Sequence, residues 1–198
     1  MENYDRYKTA TAESYEKKGV MDYLVRIQSD RRLIPLIGGI KGKRILDVGL
    51  GTGRYTRLLL QANQVVGVDR NPHLCPFQIE VHRGDATQLA ELVGAERFDI
   101  VFSTWMTEYL SPEQLSGFFR QAKMVLNDNG ELMSTIISKY GFGFLYVTAA
   151  KLLRGIDKYN YTKERVVDML REAGFADIEI INLNSWLYIP WAYMVVAR

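Results

Sequence analysis

From Ile45 to Leu60 the chain reads ILDVGLGTGRYTRLLL. An apolar run ends in an acid, Asp47, and glycines follow at 49, 51 and 53 before an apolar-periodic segment begins. Glycine costs conformational entropy on folding, so three within five residues imply backbone that a ligand approaches closely. A dinucleotide phosphate is the first ligand to consider for such a loop, and two features oppose it. The dinucleotide fingerprint spaces its glycines as GxGxxG; here the third comes one place early and Arg54 stands where the fingerprint wants glycine. Asp47 lies two residues before Gly49, where a carboxylate repels a diphosphate and attracts an ammonium group. A Walker-type lysine is also missing.

Two further acids extend the pattern. Asp69 closes VVGVD some way beyond the loop, the place from which an acid accepts both hydroxyls of a ribose in nucleoside-binding sheets. Asp85, in RGDATQL, stands at the tip of the next strand, where it can accept a hydrogen bond from an adenine amino group. The three acids and the loop therefore suit a ribose, an adenine and an amine without phosphate. S-adenosylmethionine has those parts.

Such acids need strand ends to hold them. RILDV, QVVGVD, QIEVHRGD, FDIVFSTW and ELMSTIIS read as five strands alternating with helical segments, RYTRLLLQA being the first of these. Val20, Tyr23, Leu24 and Ile27 have helical spacing and predict an N-terminal helix, with Pro35 and Gly38-Gly39 as its breakers. Ser111-Pro112-Glu113-Gln114 carries a capping box and a proline at the first helical position. Thr162 can cap a helix ending at Ala173-Gly174. ADIEIINL and YMVVAR follow without an intervening helix and should form an antiparallel hairpin at one edge. The fold class expected is α/β: a Rossmann-like, seven-stranded, mostly parallel sheet with helices on both faces.

Composition sets bounds. The 198 residues are 47% hydrophobic and 24% charged, with a net charge of +2, a size suited to one domain and too small a charge to argue for nucleic acid. Cys75 is the one cysteine, so no intramolecular disulfide forms, in keeping with a reducing compartment. The polar N-terminus is unlike a signal peptide, and the longest apolar stretch, 141–153, contains Lys151 and is short for a membrane span. A cytoplasmic monomer or homodimer is expected.

In DVGLGTG, VVGVD, RGDATQL, FDIVFSTWMTEYL and the closing hairpin, from about Lys43 to the C-terminus, the chain resembles the class I S-adenosylmethionine-dependent methyltransferases, most closely those acting on small molecules. The resemblance implies that Gly49, Gly51 and Gly53 back the methionine and ribose portions, that Asp69 holds the ribose, and that Asp85 and Ala86 line the adenine. Asp47, Arg70 and Ser103 complete the expected cofactor set. One departure is the interval of 15 residues between Asp69 and Asp85, where NPHLCPF replaces the usual helix and leaves the adenine pocket more open. By the same resemblance residues 41–198 are the methyltransferase domain, residues 1–40 a helical extension folding over the cofactor as a lid, and 138–161 an insertion on the acceptor side.

Methyl transfer from a sulfonium is an in-line displacement at an activated carbon, so the protein mainly aligns the nucleophile and excludes water. A general base is needed only for an acceptor that arrives protonated. The catalytic candidates are His73, beside the ribose acid, and Glu108 and Tyr109 after the fourth strand; a solvated loop histidine and helix-start packing explain them too. Cys75 precedes a proline in an earlier loop rather than following one after the fourth strand, which disfavours cytosine C5 chemistry. No Asp/Asn-Pro-Pro-Tyr/Phe run follows that strand either, which disfavours the amide and adenine N-methyltransferases. No metal is expected.

Acceptor contacts are expected from Trp105 and Tyr109, from Tyr140 and Phe144 in the insertion, and from Tyr7 and Tyr15, which with Tyr4 share a helical face. Gly141 to Phe144 alternates glycine with phenylalanine and reads as a flap. Aromatic and apolar residues there suit a small acceptor, apolar or aromatic in part. A helix covering the sheet, or a dimer surface, accounts for the same residues. The alternatives are a non-catalytic module keeping the fold and an aminopropyl transferase, which would carry an acid where this chain has Ser103.

Overall fold

The computed structural model describes residues 20–155, 157–186 and 189–198. Seven strands form one sheet in the order β3-β2-β1-β4-β5-β7-β6. They are β1 (Arg44–Val48), β2 (Gln64–Asp69), β3 (Val81–Arg83), β4 (Phe98–Ser103), β5 (Leu126–Ile137), β6 (Ile178–Trp186) and β7 (Ile189–Ala197). The first five are mutually parallel, while β7 runs antiparallel to both neighbours. The expected edge hairpin is therefore present, with its second strand the inner one. Chain order reverses direction between β1 and β4, which makes the carboxyl ends of those strands the crevice for ligands.

Six α-helices accompany the strands among the described residues: α1 (Val20–Gly39), α2 (Thr56–Leu59), α3 (Leu89–Val93), α4 (Pro112–Val125), α5 (Phe142–Arg154) and α6 (Lys163–Glu172). Side chains alternate between two apolar layers because successive strand residues face opposite ways. In β4, Val101 faces one layer with Phe118, Phe119 and Phe175, and an irregularity in the pairing between Phe98 and Ile100 turns Phe98 to the same side. Ile100 and Phe102 face the other with Leu33 and Ile37 of α1 and Leu59 of α2. Each of these side chains is at most 3% exposed, and full burial of one stabilises by about 1.5–3 kcal/mol.

The start of α4 depends on its first four residues. Ser111 Oγ accepts from the Gln114 N–H while the Gln114 side chain accepts from the Ser111 N–H, with Pro112 at the first helical position. Leu115, Phe118, Phe119, Ala122 and Val125 then fall on one buried stripe. Thr162 caps α6 by a single bond, its Oγ1 accepting from the Arg165 N–H.

Three expectations need correction. Pro35 does not end α1, which continues to Gly39; the proline lies on the exposed face, beside exposed Ile34, while Leu33 and Ile37 on the opposite face are buried. Burial of that stripe outweighs the lost backbone bond, a cost of about 3 kcal/mol. The helix after the glycine loop is a single turn, Thr56–Leu59, rather than the full RYTRLLLQA. The segment 141–144 is the start of α5 and not a flap. A Cβ on Gly143 would meet the Ser138 carbonyl at 2.0 Å, so that glycine permits close packing, and the Phe142 ring stacks 4.8 Å from Trp191.

Candidate functional site

The carboxyl ends of β1 and β4 open into a cleft walled by Asp47, the loop from Gly49 to Thr52, Arg54, Tyr55, Thr56, Thr104 and Trp105. The loop takes its shape from glycine. Gly49, Gly51 and Gly53 have φ of +76°, +54° and +73°, the left-handed region that side chains rarely adopt. A Cβ on Gly49 would lie 2.5 Å from Met106 Cγ, and one on Gly53 would lie 2.6 Å from the Phe77 ring. Met106 and Phe77 thus back the loop, and neither was singled out by the sequence.

Asp47 sits at the floor, 2% exposed. Burial pushes its pKa up to about 7 against the Thr56 hydroxyl bond, and the charge of Asp69 raises it further. Thr56 Oγ1 donates to Asp47 Oδ2 at 2.6 Å. A buried acid held so near neutrality favours a cationic partner, since an ammonium group would restore its charged form.

Asp69 ends β2 and braces the loop: Oδ2 accepts from the Gly51 N–H at 2.8 Å and Oδ1 from the Asn71 N–H at 2.7 Å. Each oxygen keeps a further lone pair for a hydroxyl donor. Asp85 caps a 3₁₀ turn at Ala86–Gln88, accepting from the backbone and hydroxyl of Thr87, and pairs with Arg70. Burial raises its pKa, but the Thr87 N–H, Arg70 and the Thr87 hydroxyl outweigh it and hold the acid below its ordinary range. Asp85 and Arg70 thus bind each other, and Ala86 is buried beside them. Between β2 and β3 lies only a 3₁₀ turn at Pro72–Leu74, with His73 exposed on it.

At the end of β4, Ser103 is fully buried and points away from solvent, while Thr104 and Trp105 line the cleft. Trp105 has φ +56°, a conformation costly for a bulky residue. It is held by two hydrogen bonds: its N–H donates to Thr135 Oγ1 at 2.7 Å and its indole to the Tyr55 hydroxyl at 3.1 Å. Tyr55 in turn donates to Asp30 of α1 at 2.7 Å, and Arg54 pairs with the same carboxylate. Burial and the Asp30 carboxylate push the Tyr55 hydroxyl up to about 12, so it stays a donor.

Beyond Trp105, Glu108 is buried and its Oε1 lies 3.6 Å from Lys158 Nζ. Lys158 also bonds the Tyr146 hydroxyl and lies 5.0 Å from the centroid of the Tyr109 ring. The backbone carbonyl of Glu108 accepts from the Tyr159 N–H at 2.7 Å. Glu108 and Tyr109 therefore tie the loop after β4 to the segment after α5. Tyr140 and Phe144 are exposed, 61% and 54%. Tyr7 and Tyr15 fall outside the described residues. Away from the cleft, Glu80, His82 and Glu96 bring potential ligand atoms within 4.8 Å of one another, but Glu96 is paired with Arg44.

Comparison with known proteins agrees with this geometry. Residues 46–134 match the family model described as a methyltransferase domain. The chain is 27% identical over 185 residues to erythromycin 3''-O-methyltransferase of Saccharopolyspora erythraea, covering 81% of this chain and 59% of that protein. It is 26% identical over 167 residues to tRNA U34 carboxymethyltransferase of Aeromonas salmonicida, covering 77% of this chain and 50% of that one. The chain thus spans between half and three fifths of the length of these two relatives. Among solved structures, the DhpI-SAM-HEP complex superposes with a TM-score of 0.73 at 16% identity, covering 100% of this chain and 96% of that one. A SAM-dependent methyltransferase from Archaeoglobus fulgidus superposes with a TM-score of 0.69 at 19% identity, covering 88% and 93%. At such identities the superpositions speak for the fold.

The fold around the cleft is that of an α/β protein of the methyltransferase type. The chain thus resembles methyltransferases over residues 46–134 and shares the fold of solved S-adenosylmethionine-dependent methyltransferases; S-adenosylmethionine is the cofactor that such a fold implies. The residues present fit that group: a loop of positive-φ glycines packed so closely on Met106 and Phe77 that Gly49 and Gly53 admit no Cβ, a buried acid for an amine, and a strand-end acid with lone pairs for ribose.

Proposed function

We propose that this protein transfers the methyl group of S-adenosylmethionine to a small acceptor that is apolar or aromatic in part. The observation that carries the reading is the cleft itself. It runs from the glycine loop to Thr104 and Trp105, so that the post-β4 loop, where an acceptor would stand, adjoins the floor acid. A non-catalytic module would leave that wall packed shut. An aminopropyl transferase would place an acid after β4, where Ser103 and Thr104 stand.

When bound, the cofactor supplies an electrophilic methyl group on a sulfonium. Asp47 attracts its ammonium group, and Asp69 accepts its ribose hydroxyls. Tyr55 and Trp105 form an aromatic wall that limits water. Glu108, Tyr109, Tyr146 and Lys158 hold the loops on the acceptor side in register, with Tyr140 and Phe144 at its outer rim. We assign residues 1–40 the role of a lid and 138–161 that of the acceptor-side insertion. The buried Glu108–Lys158 pair makes Glu108 a positioning residue rather than a base. An acceptor whose lone pair is already free, as in a phenolate, a carboxylate or an unprotonated amine, needs no base.

The relatives are named for erythromycin and for tRNA U34, so acceptor class has to be tested directly. Release of S-adenosylhomocysteine is measured with phenols, aliphatic alcohols and carboxylic acids of graded size, with bulk tRNA as comparison. Turnover on one of the apolar small molecules supports the reading. Turnover on tRNA alone would overturn it.

A further inference from the structure

The cleft contains a second charged group besides its floor acid, and that group is held in place from outside the glycine loop. Arg54 directly follows Gly53 and lines the cleft with Asp47 and Trp105. Its Nη2 is fixed by Asp30 of α1, itself only 9% exposed and already receiving the Tyr55 hydroxyl at 2.7 Å. A guanidinium has five N–H donors, and the Asp30 contact engages those on one nitrogen. The guanidinium also meets the Tyr55 side chain, its carbon 5.9 Å from the ring centroid, and where it lines the cleft the side chain is still 45% exposed.

The charges around the cleft set what it accepts. Asp47 lines the cleft, Asp30 is paired with Arg54 beside it, and Asp69 accepts from the Gly51 N–H of the loop. A ligand with an ammonium group suits these acids, but an amino-acid tail also carries a carboxylate, which they repel. Among the described residues that line the cleft, Arg54 is the one with a cationic side chain. The helix after it is a single turn, Thr56–Leu59, too short to present a developed helix dipole to an anion.

We propose that Arg54, held in place by Asp30, reads the α-carboxylate of the cofactor's methionine moiety and so selects the carboxylated cofactor over its decarboxylated counterpart. This assignment rests on the cofactor reading above. Asp47 takes the ammonium end of the zwitterion and Arg54 the carboxylate end. Asp30 acts as a positioning residue, accepting from one Arg54 nitrogen and leaving the guanidinium facing the cleft. Because Asp30 also anchors Tyr55, and Tyr55 anchors Trp105, the N-terminal helix fixes both the charge and the aromatic wall at this end of the cleft.

The test is calorimetric titration of two ligands differing only in that carboxylate: S-adenosylhomocysteine and its decarboxylated analogue, S-adenosyl-3-thiopropylamine. The proteins are wild type, Arg54→Met, and Asp30→Asn/Arg54→Met, the last removing both partners so that no buried charge is left alone. Wild type should prefer S-adenosylhomocysteine by about tenfold or more, the worth of a charge-assisted hydrogen bond. Both variants should bind the two ligands within about threefold of each other, a merging of affinities on the scale of that same bond. Wild type that does not discriminate would overturn the assignment. So would variants that lose both ligands equally, or that keep the preference because backbone N–H groups hold the carboxylate. Wild type that binds neither ligand would overturn the cofactor reading itself, and the two failures are thereby distinguished.

Discussion

Ligand binding should depend on pH through Asp47. In the free protein its pKa is about 7, chiefly because of burial. An ammonium group in the cleft requires the ionised form, so binding below that pH must expel a proton. If Asp47 stays ionised in the complex, the Kd for S-adenosylhomocysteine should rise about 30-fold between pH 8 and pH 5.5, tracking the fraction already ionised. Calorimetry in buffers of different ionisation enthalpy reads the proton directly: near pH 6 the wild type should release most of one proton per ligand bound. Asp47→Asn should bind weakly, with a flat pH profile and no linked proton. The same group affects the stability of the free protein. Its folded-state pKa lies above the ordinary 3.8, so its contribution to stability is complete below about 3.8 and is lost as pH rises through about 7. The full swing is roughly 4 kcal/mol. Asp47→Asn should therefore melt higher than wild type at pH 8 and close to it at pH 4. A wild-type Kd that is flat with pH, or an Asp47→Asn profile with the wild-type slope, would refute the reasoning.

Other substitutions probe the scaffold. Gly49→Ala forces a side chain into φ +76° and against Met106 Cγ; thermal unfolding should show a loss on the order of 1–3 kcal/mol, and calorimetry a weakened ligand. Lys158→Met leaves Glu108 buried without its ion partner and should cost about 3–5 kcal/mol in denaturant unfolding. Much of that loss should return in the double variant Glu108→Gln/Lys158→Met, because neither side chain is then charged. Ser111→Ala removes the acceptor of the Gln114 N–H and should cost about 1 kcal/mol, with ligand binding unchanged.

Features resting on neighbouring residues could be read from the chain. The capping box at Ser111–Gln114, the Thr162 cap and the β6–β7 pair each arise from local chemistry, and the structure has them. The glycine loop was equally plain, since its backbone geometry demands the residue type. What escaped was long-range. Asp30 meets Tyr55 across 25 positions and Trp105 meets Tyr55 across 50, contacts that no periodicity reveals. Arg54 registered only as a break in a dinucleotide pattern, because the helix that orients it lies before the loop. Asp85 looked open to a ligand because its pairing with Arg70 depends on how two strand ends meet. Pro35 misled because burial of Leu33 and Ile37 decides the helix, and burial belongs to the fold.

The central claim is that this cleft holds a sulfonium nucleoside and not a dinucleotide. Titrating S-adenosylhomocysteine and NAD separately into the same protein tests it most directly. The account predicts saturable, one-to-one binding of S-adenosylhomocysteine in the micromolar range and none of NAD. Silence with S-adenosylhomocysteine, or tighter binding of NAD, would contradict it.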